Sequence, residues 1–172
     1  KMNNDFLELR KAESEDIPVI WKILQQSIER RRKDGSDQWQ DGYPNLSTVE
    51  MDVEKQQNYV LTQNGKLIAT AAVIFNYEPT YDEIDGEWLT NGDFYVVHRV
   101  GVSDEVAGKG IATQFFLMIE EFVKEKGVFS IKIDTNFDNL AMLRILEKLD
   151  YTYCGEILVR NSPRKAFEKV LK

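Results

Sequence analysis

Eleven consecutive residues, Val102-Ser103-Asp104-Glu105-Val106-Ala107-Gly108-Lys109-Gly110-Ile111-Ala112, have the make-up of an anion cradle. Two glycines one residue apart let the backbone approach a ligand and turn N–H groups outward, and a helix opening directly after them presents its positive end. A helix without a ligand at its start commonly recruits Asp or Glu into its first turn, yet no acidic residue stands between Lys109 and Ile119. Negative charge supplied from outside the chain fits that gap, although Asp104 and Glu105 just upstream work against it. Other chemistry-bearing residues are few. His98 is the single histidine and Cys154 the single cysteine, so neither an internal disulfide nor a cluster of zinc-type ligands is expected. Nothing pairs Cys154 with a base, and it reads as a small buried hydrophobe. A third group, Gln38, Trp39, Gln40 and Tyr43, sets aromatic rings beside Asp37 and Asp41.

The elements that must position these residues follow from periodicity. Residues 6–10 mix apolar and polar side chains much as a half-buried strand does. Ile17, Ile20, Trp21, Leu24 and Ile28 then mark one face of a helix, with Ser14 before it and Pro18 in its first turn. Arg30, Arg31, Arg32 and Lys33 close that helix before Gly35, where cations complement the negative helix end. Ser47 with Glu50 resembles a capping box for a short second helix reaching about residue 57. Strands over 59–62 and 66–75 are joined by Asn64-Gly65, a strong hairpin signal. A long acidic loop is expected over 76–93, then a strand over 94–102, a helix over 110–126 and a strand over 128–134. A helix over 139–149 and strands over 151–159 and 165–171 complete the chain, the last strand being a candidate sheet edge. Strand, glycine turn, helix, strand is a right-handed crossover, so the 94–102 and 128–134 strands are expected to run parallel within a mixed sheet. Ligands in such sheets bind beyond the carboxyl ends of parallel strands, which again points to the 103–110 loop.

Composition narrows the function classes. The 172 residues are 42% hydrophobic, enough for one α/β domain over 1–172 with its own core, and no repeat or linker divides them. No apolar stretch approaches the roughly 20 residues of a membrane span, and no signal-like segment opens the chain; Lys1 ahead of Met2 reads as an appendage to a native start. A soluble, cytoplasmic protein is expected. A net charge of −7 argues against a nucleic-acid partner, so a phosphate-bearing ligand must be held locally.

Two phosphate-loop readings fail on the residues. A nucleoside-triphosphatase loop needs Ser or Thr after Gly-Lys, and here Gly110 follows Lys109; a dinucleotide fingerprint needs a further glycine near Phe115. The segment Ala107-Gly108-Lys109-Gly110-Ile111-Ala112 instead resembles the acyl-coenzyme A pyrophosphate loop of the GNAT N-acetyltransferases, Gln/Arg-x-x-Gly-x-Gly/Ala opening a helix. Asn139-Leu140-Ala141-Met142 through Glu147-Lys148-Leu149-Asp150-Tyr151 is similar to that family's second motif, and the order of elements matches over residues 6–171. Gln38 to Pro44 and Tyr153-Cys154-Gly155 also resemble a bacterial-type branch of the family.

The resemblance implies a single-domain mixed sheet flanked by helices, acetyl-CoA as co-substrate without a metal, and a primary amine of a small molecule or peptide as acceptor, attacked directly in a ternary complex. It implies coenzyme contacts from Val100, Gly101, Val102, Ala107, Gly108, Lys109, Gly110, Ile111, Ala112, Asn139 and Met142, Asn139 serving equally as a helix cap. Backbone donors near 100–102 would hold the oxyanion, worth roughly 3 kcal/mol each. His98 becomes the candidate base. Gln38, Trp39, Gln40 and Tyr43 become the acceptor wall, their flanking aspartates suiting a cationic or amphipathic amine. Departures are Ala107 for the loop's Gln/Arg, Asp150 for a glycine, and Leu146 where many members place a tyrosine acid; Tyr151, Tyr153 and Cys154 are the nearby substitutes, Tyr153 the one taken as catalytic. These departures keep open a catalytically inactive acyl-CoA sensor of the same fold. Dimerisation is common in the family, which leaves a homodimer open.

Overall fold

Apolar side chains at helical and strand periods produce the elements in the expected order. The computed structural model describes residues 6–172, so Lys1 and Met2 lie outside the described residues. Strand β1 (Leu7–Lys11) and a short 3₁₀ turn (Ser14–Asp16) lead into α1 (Ile17–Lys33) and α2 (Leu46–Glu54). The hairpin β2 (Asn58–Gln63) and β3 (Lys66–Phe75) turns through Asn64 and Gly65, both at positive φ. Next come β4 (Asp85–Gly86), β5 (Tyr95–Val102), α3 (Ile111–Glu125), β6 (Ser130–Asn136), α4 (Leu140–Lys148), β7 (Thr152–Val159) and β8 (Ser162–Val170).

The eight strands form one mixed sheet in the order β1-β2-β3-β5-β6-β8-β7-β4, with β5 and β6 parallel as the crossover requires. Helix α3 packs its apolar stripe on this sheet, and fully buried Phe115 and Phe116 anchor the largest core cluster. Each such side chain contributes roughly 1.5–3 kcal/mol by leaving water. Helix α1 lies close against β5 because Gly101 has no side chain: a Cβ there would stand 3.0 Å from Leu24 Cδ2 and 3.1 Å from Ser27 Oγ.

Three expectations are corrected. The cap of α2 is Asn45, whose side chain accepts from the Thr48 N–H at 3.0 Å, rather than Ser47 with Glu50; Asn has the same capping chemistry and lies two residues earlier. The closing strand is interior, since β8 pairs with β6 on one side and β7 on the other; β1 and β4 form the edges. Residues 76–93 are not a bare loop. They hold a 3₁₀ turn (Pro79–Glu83) with Tyr81 fully buried, and β4. Buried Glu168 fastens this segment, accepting hydrogen bonds from Leu89 N at 2.7 Å, Thr90 Oγ1 at 2.5 Å and Ser130 Oγ at 2.7 Å. Gly86 and Gly155 bring β4 and β7 so close that a Cβ on Gly155 would collide with the Asp85 carbonyl.

Among the described residues no helix is long and apolar enough to cross a membrane, and no group of His, Cys, Asp and Glu could hold a metal ion.

Candidate active site

Strands β5 and β6 pair at Tyr95–Ile131 and Val96–Lys132, and no pairing extends beyond these positions. Past that point His98, Arg99 and Val100 on one strand and Ile133, Asp134 and Thr135 on the other line a cavity of about 200 Å³. A bulge contributes: β5 shifts register against β3 between Thr70 and Ala72, and Arg99 opposite the shift has φ of +54°.

A second, larger depression of about 460 Å³ runs beside it. Its walls are the end of α1 (Ser27, Arg30, Arg31), Val100, Gly101 and Val102 of β5, the loop from Val106 to Gly110, and Met142, Arg144, Ile145 and Lys148 of α4. Gly108 and Gly110 take φ of +79° and +78°, and nothing stands within 4 Å of where a Cβ would project, so space is open above the loop. The first-turn N–H groups of Ile111, Ala112 and Thr113 have no intrahelical acceptor. No side chain caps the helix, and its first turn holds no acid. Oriented donors, a helix N-terminus and the cations Arg144 and Lys148 at one groove fit a polyanion such as a pyrophosphate. The two depressions share Arg31, Val100, Asn139 and Met142.

The smaller cavity holds a linked set of titratable groups. His98 Nε2 lies 2.8 Å from Glu78 Oε1, and His98 Nδ1 lies 3.9 Å from Asp134 Oδ2. Tyr81 donates its hydroxyl to the same Asp134 oxygen at 2.6 Å. Burial pushes the Glu78 carboxyl up, but His98 and two hydrogen bonds from Thr80 outweigh it and bring the group down to about 2. Burial and the Asp134 charge keep the Tyr81 phenol protonated, well above its ordinary range. Four arginines border the cavity: Arg31, Arg99, Arg160 and Arg164.

The residues singled out from sequence divide. Val100, Gly101, Val102, Ala107, Gly108, Gly110, Ile111, Ala112, Asn139 and Met142 all line the groove, whereas exposed Lys109 does not. Asn139 caps α4 by accepting from Met142 N at 3.2 Å and also donates to Gln38 Oε1 at 3.0 Å. Gln38 borders the cavity, but its carbonyl oxygen is taken up by Thr135, Asn136 and Asn139, a buried tie between the post-α1 loop and β6. Trp39 and Tyr43 face the cavity beneath Arg31 and Arg160, whose guanidinium carbons stand 3.8 and 3.9 Å from the ring centroids. Gln40 turns away and donates to Ile28 O and Gln38 O. Asp41 is 3.7 Å from Arg160 rather than free for a cationic ligand.

Tyr153 lies outside both depressions, half exposed against Phe167, because a bulge between Tyr153 and Gly155 turns that stretch of β7. Tyr151 is buried and donates to Glu120 at 3.3 Å, and Cys154 Sγ contacts Thr152 O. Leu146 is fully buried in the core, so its position does not face the groove.

Glu78, Tyr81, Asp134, Arg31 and Arg164 escaped the sequence reading. Arg31 could have been found: it follows Ile20, Leu24 and Ser27 at steps of three or four, the buried face of α1. Asp134 sits near the carboxyl end of a parallel strand, where ligands collect. Glu78 and Tyr81 carry no local signal, since only the folded 76–93 segment brings them to residues 20 and 53 positions away.

The split between parallel strands opens onto a glycine-led helix, as the resemblance to the GNAT acetyltransferases implies, and the comparisons bear on that resemblance directly. The acetyltransferase (GNAT) family profile matches residues 19–151, and the chain belongs to that family. A GNAT-family acetyltransferase structure from Streptococcus agalactiae is 32% identical, covering 96% of each chain with a TM-score of 0.90. Two others share the fold at lower identity. The ribosomal-protein-S18-alanine N-acetyltransferase of Escherichia coli is 14% identical, covering 96% of this chain and 93% of its own, with a TM-score of 0.64. The YncA protein of Salmonella typhimurium, solved with acetyl-CoA, is 15% identical, covering 96% and 94%, with a TM-score of 0.66. No curated protein sequence matches the chain.

Proposed function

We propose that the protein transfers the acetyl group of acetyl-CoA to a primary amine of a small molecule or peptide, in a ternary complex. The observation that carries this reading is the meeting of the anion-fitted groove with the His98–Glu78–Asp134 cavity at Arg31, Val100, Asn139 and Met142. Acetyl-CoA in the Salmonella typhimurium neighbour supports the donor, and the ribosomal-protein-alanine acceptor of the Escherichia coli neighbour supports an amine as acceptor.

Bound acetyl-CoA supplies an acyl carbon activated as a thioester. The loop at 108–113 and the cations of α4 hold its phosphates. Glu78 takes the Nε2 hydrogen of His98, which leaves the Nδ1 lone pair free beside Asp134. An ammonium group arriving there meets a carboxylate that holds it and a ring nitrogen that removes its proton. His98 passes that first proton to solvent; the neutral amine then forms the C–N bond as the C–S bond breaks, the freed Nδ1 takes the second amine proton, and the departing thiolate gains its proton from solvent. This division leaves no role for Tyr153.

The test measures free thiol from acetyl-CoA across an amine panel, with melting temperature read against acetyl-CoA, coenzyme A and ATP. The coenzymes alone should raise the melting temperature. His98→Ala should lower kcat by about 100-fold or more and flatten its pH profile, with the acetyl-CoA KM unchanged. Coenzyme binding without thiol release above hydrolysis would replace this reading with that of an acyl-CoA sensor.

A further inference from the structure

Arg164 on β8 is 7% exposed, and its Nε has no hydrogen-bond partner among the described residues. The nearest carboxylate, Asp134 Oδ1, stands 3.6 Å from Nη1, beyond hydrogen-bond range. A guanidinium carries five N–H donors and keeps its charge when buried. Arg31, from α1, repeats the situation. Its Nε is buried without a partner, and its one hydrogen bond runs 3.3 Å from Nη1 to the Ser27 carbonyl. Burial, then the charge of Arg30, pulls the Arg31 guanidinium down to about 10, as expected of a cation short of compensation.

Neither of the other two arginines of the cavity has a buried nitrogen without a hydrogen-bond partner among the described residues. Arg99 is gripped by both Asp52 oxygens at 2.7 and 2.8 Å, and Arg160 at the rim faces Asp41. Arg31 and Arg164 are thus the two whose Nε is buried without a hydrogen-bond partner, in a cavity that also holds His98 and Asp134. Buried guanidinium N–H groups left without an acceptor are costly to maintain unless a ligand completes them. Asp134 fixes the distance scale: Oδ2 faces Tyr81 and His98 while Oδ1 faces Arg164, so the amine-holding and anion-holding ends share one carboxylate. An ammonium and an anion that fit there are a short molecule's length apart.

We propose that the acceptor is a free α-amino acid, its carboxylate bound by Arg31 and Arg164 and its amine presented to His98 and Asp134. This identification rests on the acetyl transfer proposed above. It reverses the acidic acceptor wall expected from Asp37 and Asp41. A carboxylate is planar and accepts from a guanidinium through two parallel bonds, which an uncharged substituent cannot do.

The experiment compares amino acids with their decarboxylated counterparts: L-phenylalanine with 2-phenylethylamine, L-leucine with 3-methylbutylamine, L-histidine with histamine and L-lysine with cadaverine. The amino acid of at least one pair should show kcat/KM at least about tenfold higher, carried mostly by KM. Arg164→Gln should erase that preference and leave the acetyl-CoA KM unchanged, since Arg164 does not line the groove. Arg164→Lys, which keeps the charge but loses the fork, should recover part of it and controls for folding. The proposal is overturned if the bare amines react as well in every productive pair, or if Arg164→Gln weakens both members equally. If no pair releases thiol, acetyl transfer fails as a reading and melting of the coenzyme A-loaded protein decides the site. A rise with an amino acid that is absent with its amine and in Arg164→Gln upholds the carboxylate site; no rise with any amino acid overturns it.

Discussion

Glu78 shows how one side chain ties stability to chemistry. Its folded-state pKa of about 2 lies below the ordinary 4.5, so the ionised form is the one the fold favours. That contribution is complete above about pH 5 and is lost as pH falls through the unfolded value towards the folded one. Glu78→Gln should therefore be less stable than the parent at pH 6, and the gap should shrink by pH 3. Urea unfolding at the two pH values checks this, and a gap that stays constant would show that the His98 contact does not stabilise the fold. Residue identities were legible where the chemistry is local. Two glycines before a helix suggested an anion site, and the groove residues followed from the resemblance that this loop and the second motif carry together. The acceptor side was not legible, because the worth of Arg31, Asp134 and Arg164 lies in having or lacking a partner, which depends on residues from α1, β6 and β8 meeting.

At the scale of elements, the segment between β3 and β5 is the one whose fold matters most for the site. Its 3₁₀ turn delivers Glu78 and Tyr81, and two anchors hold it: the Glu168 hydrogen bonds and the Gly86–Gly155 contact. Gly155 sits at φ of +146°, where a side chain is strained even before it meets the Asp85 carbonyl. Gly155→Ala should cost about 1–3 kcal/mol, lowering Tm by roughly 3–10 °C, and should reduce kcat by displacing Glu78. Calorimetry with the thiol assay tests both, and an unchanged kcat in a destabilised variant would separate the segment from catalysis. Strands and helices were readable because burial imposes a period of 2 or 3.6 on their side chains. This segment has no period, and its single buried aromatic, Tyr81, is indistinguishable in sequence from its exposed neighbour Tyr77. The interior place of β8 was hidden for another reason: chain order does not reveal that the last strand inserts between β6 and β7.

For the molecule as a whole, an overall charge of −7 coexists with a site bordered by four arginines. The general field repels an anionic ligand while the cavity attracts it, so selectivity is local and added salt should weaken capture less than an exposed basic patch would suffer. Arg31 has a wider consequence, since it belongs to both depressions along with Val100, Asn139 and Met142. Binding on one side fixes a wall of the other, and thermodynamic linkage then requires each ligand to change the affinity of the other by one common factor. Titration of coenzyme A with and without L-amino acid, and the reverse, should give equal factors that differ from one in the parent and collapse towards one in Arg31→Ala. A factor of one in the parent would leave the two sites independent. Through that shared guanidinium, the occupancy of one substrate is reported to the other before any bond is made.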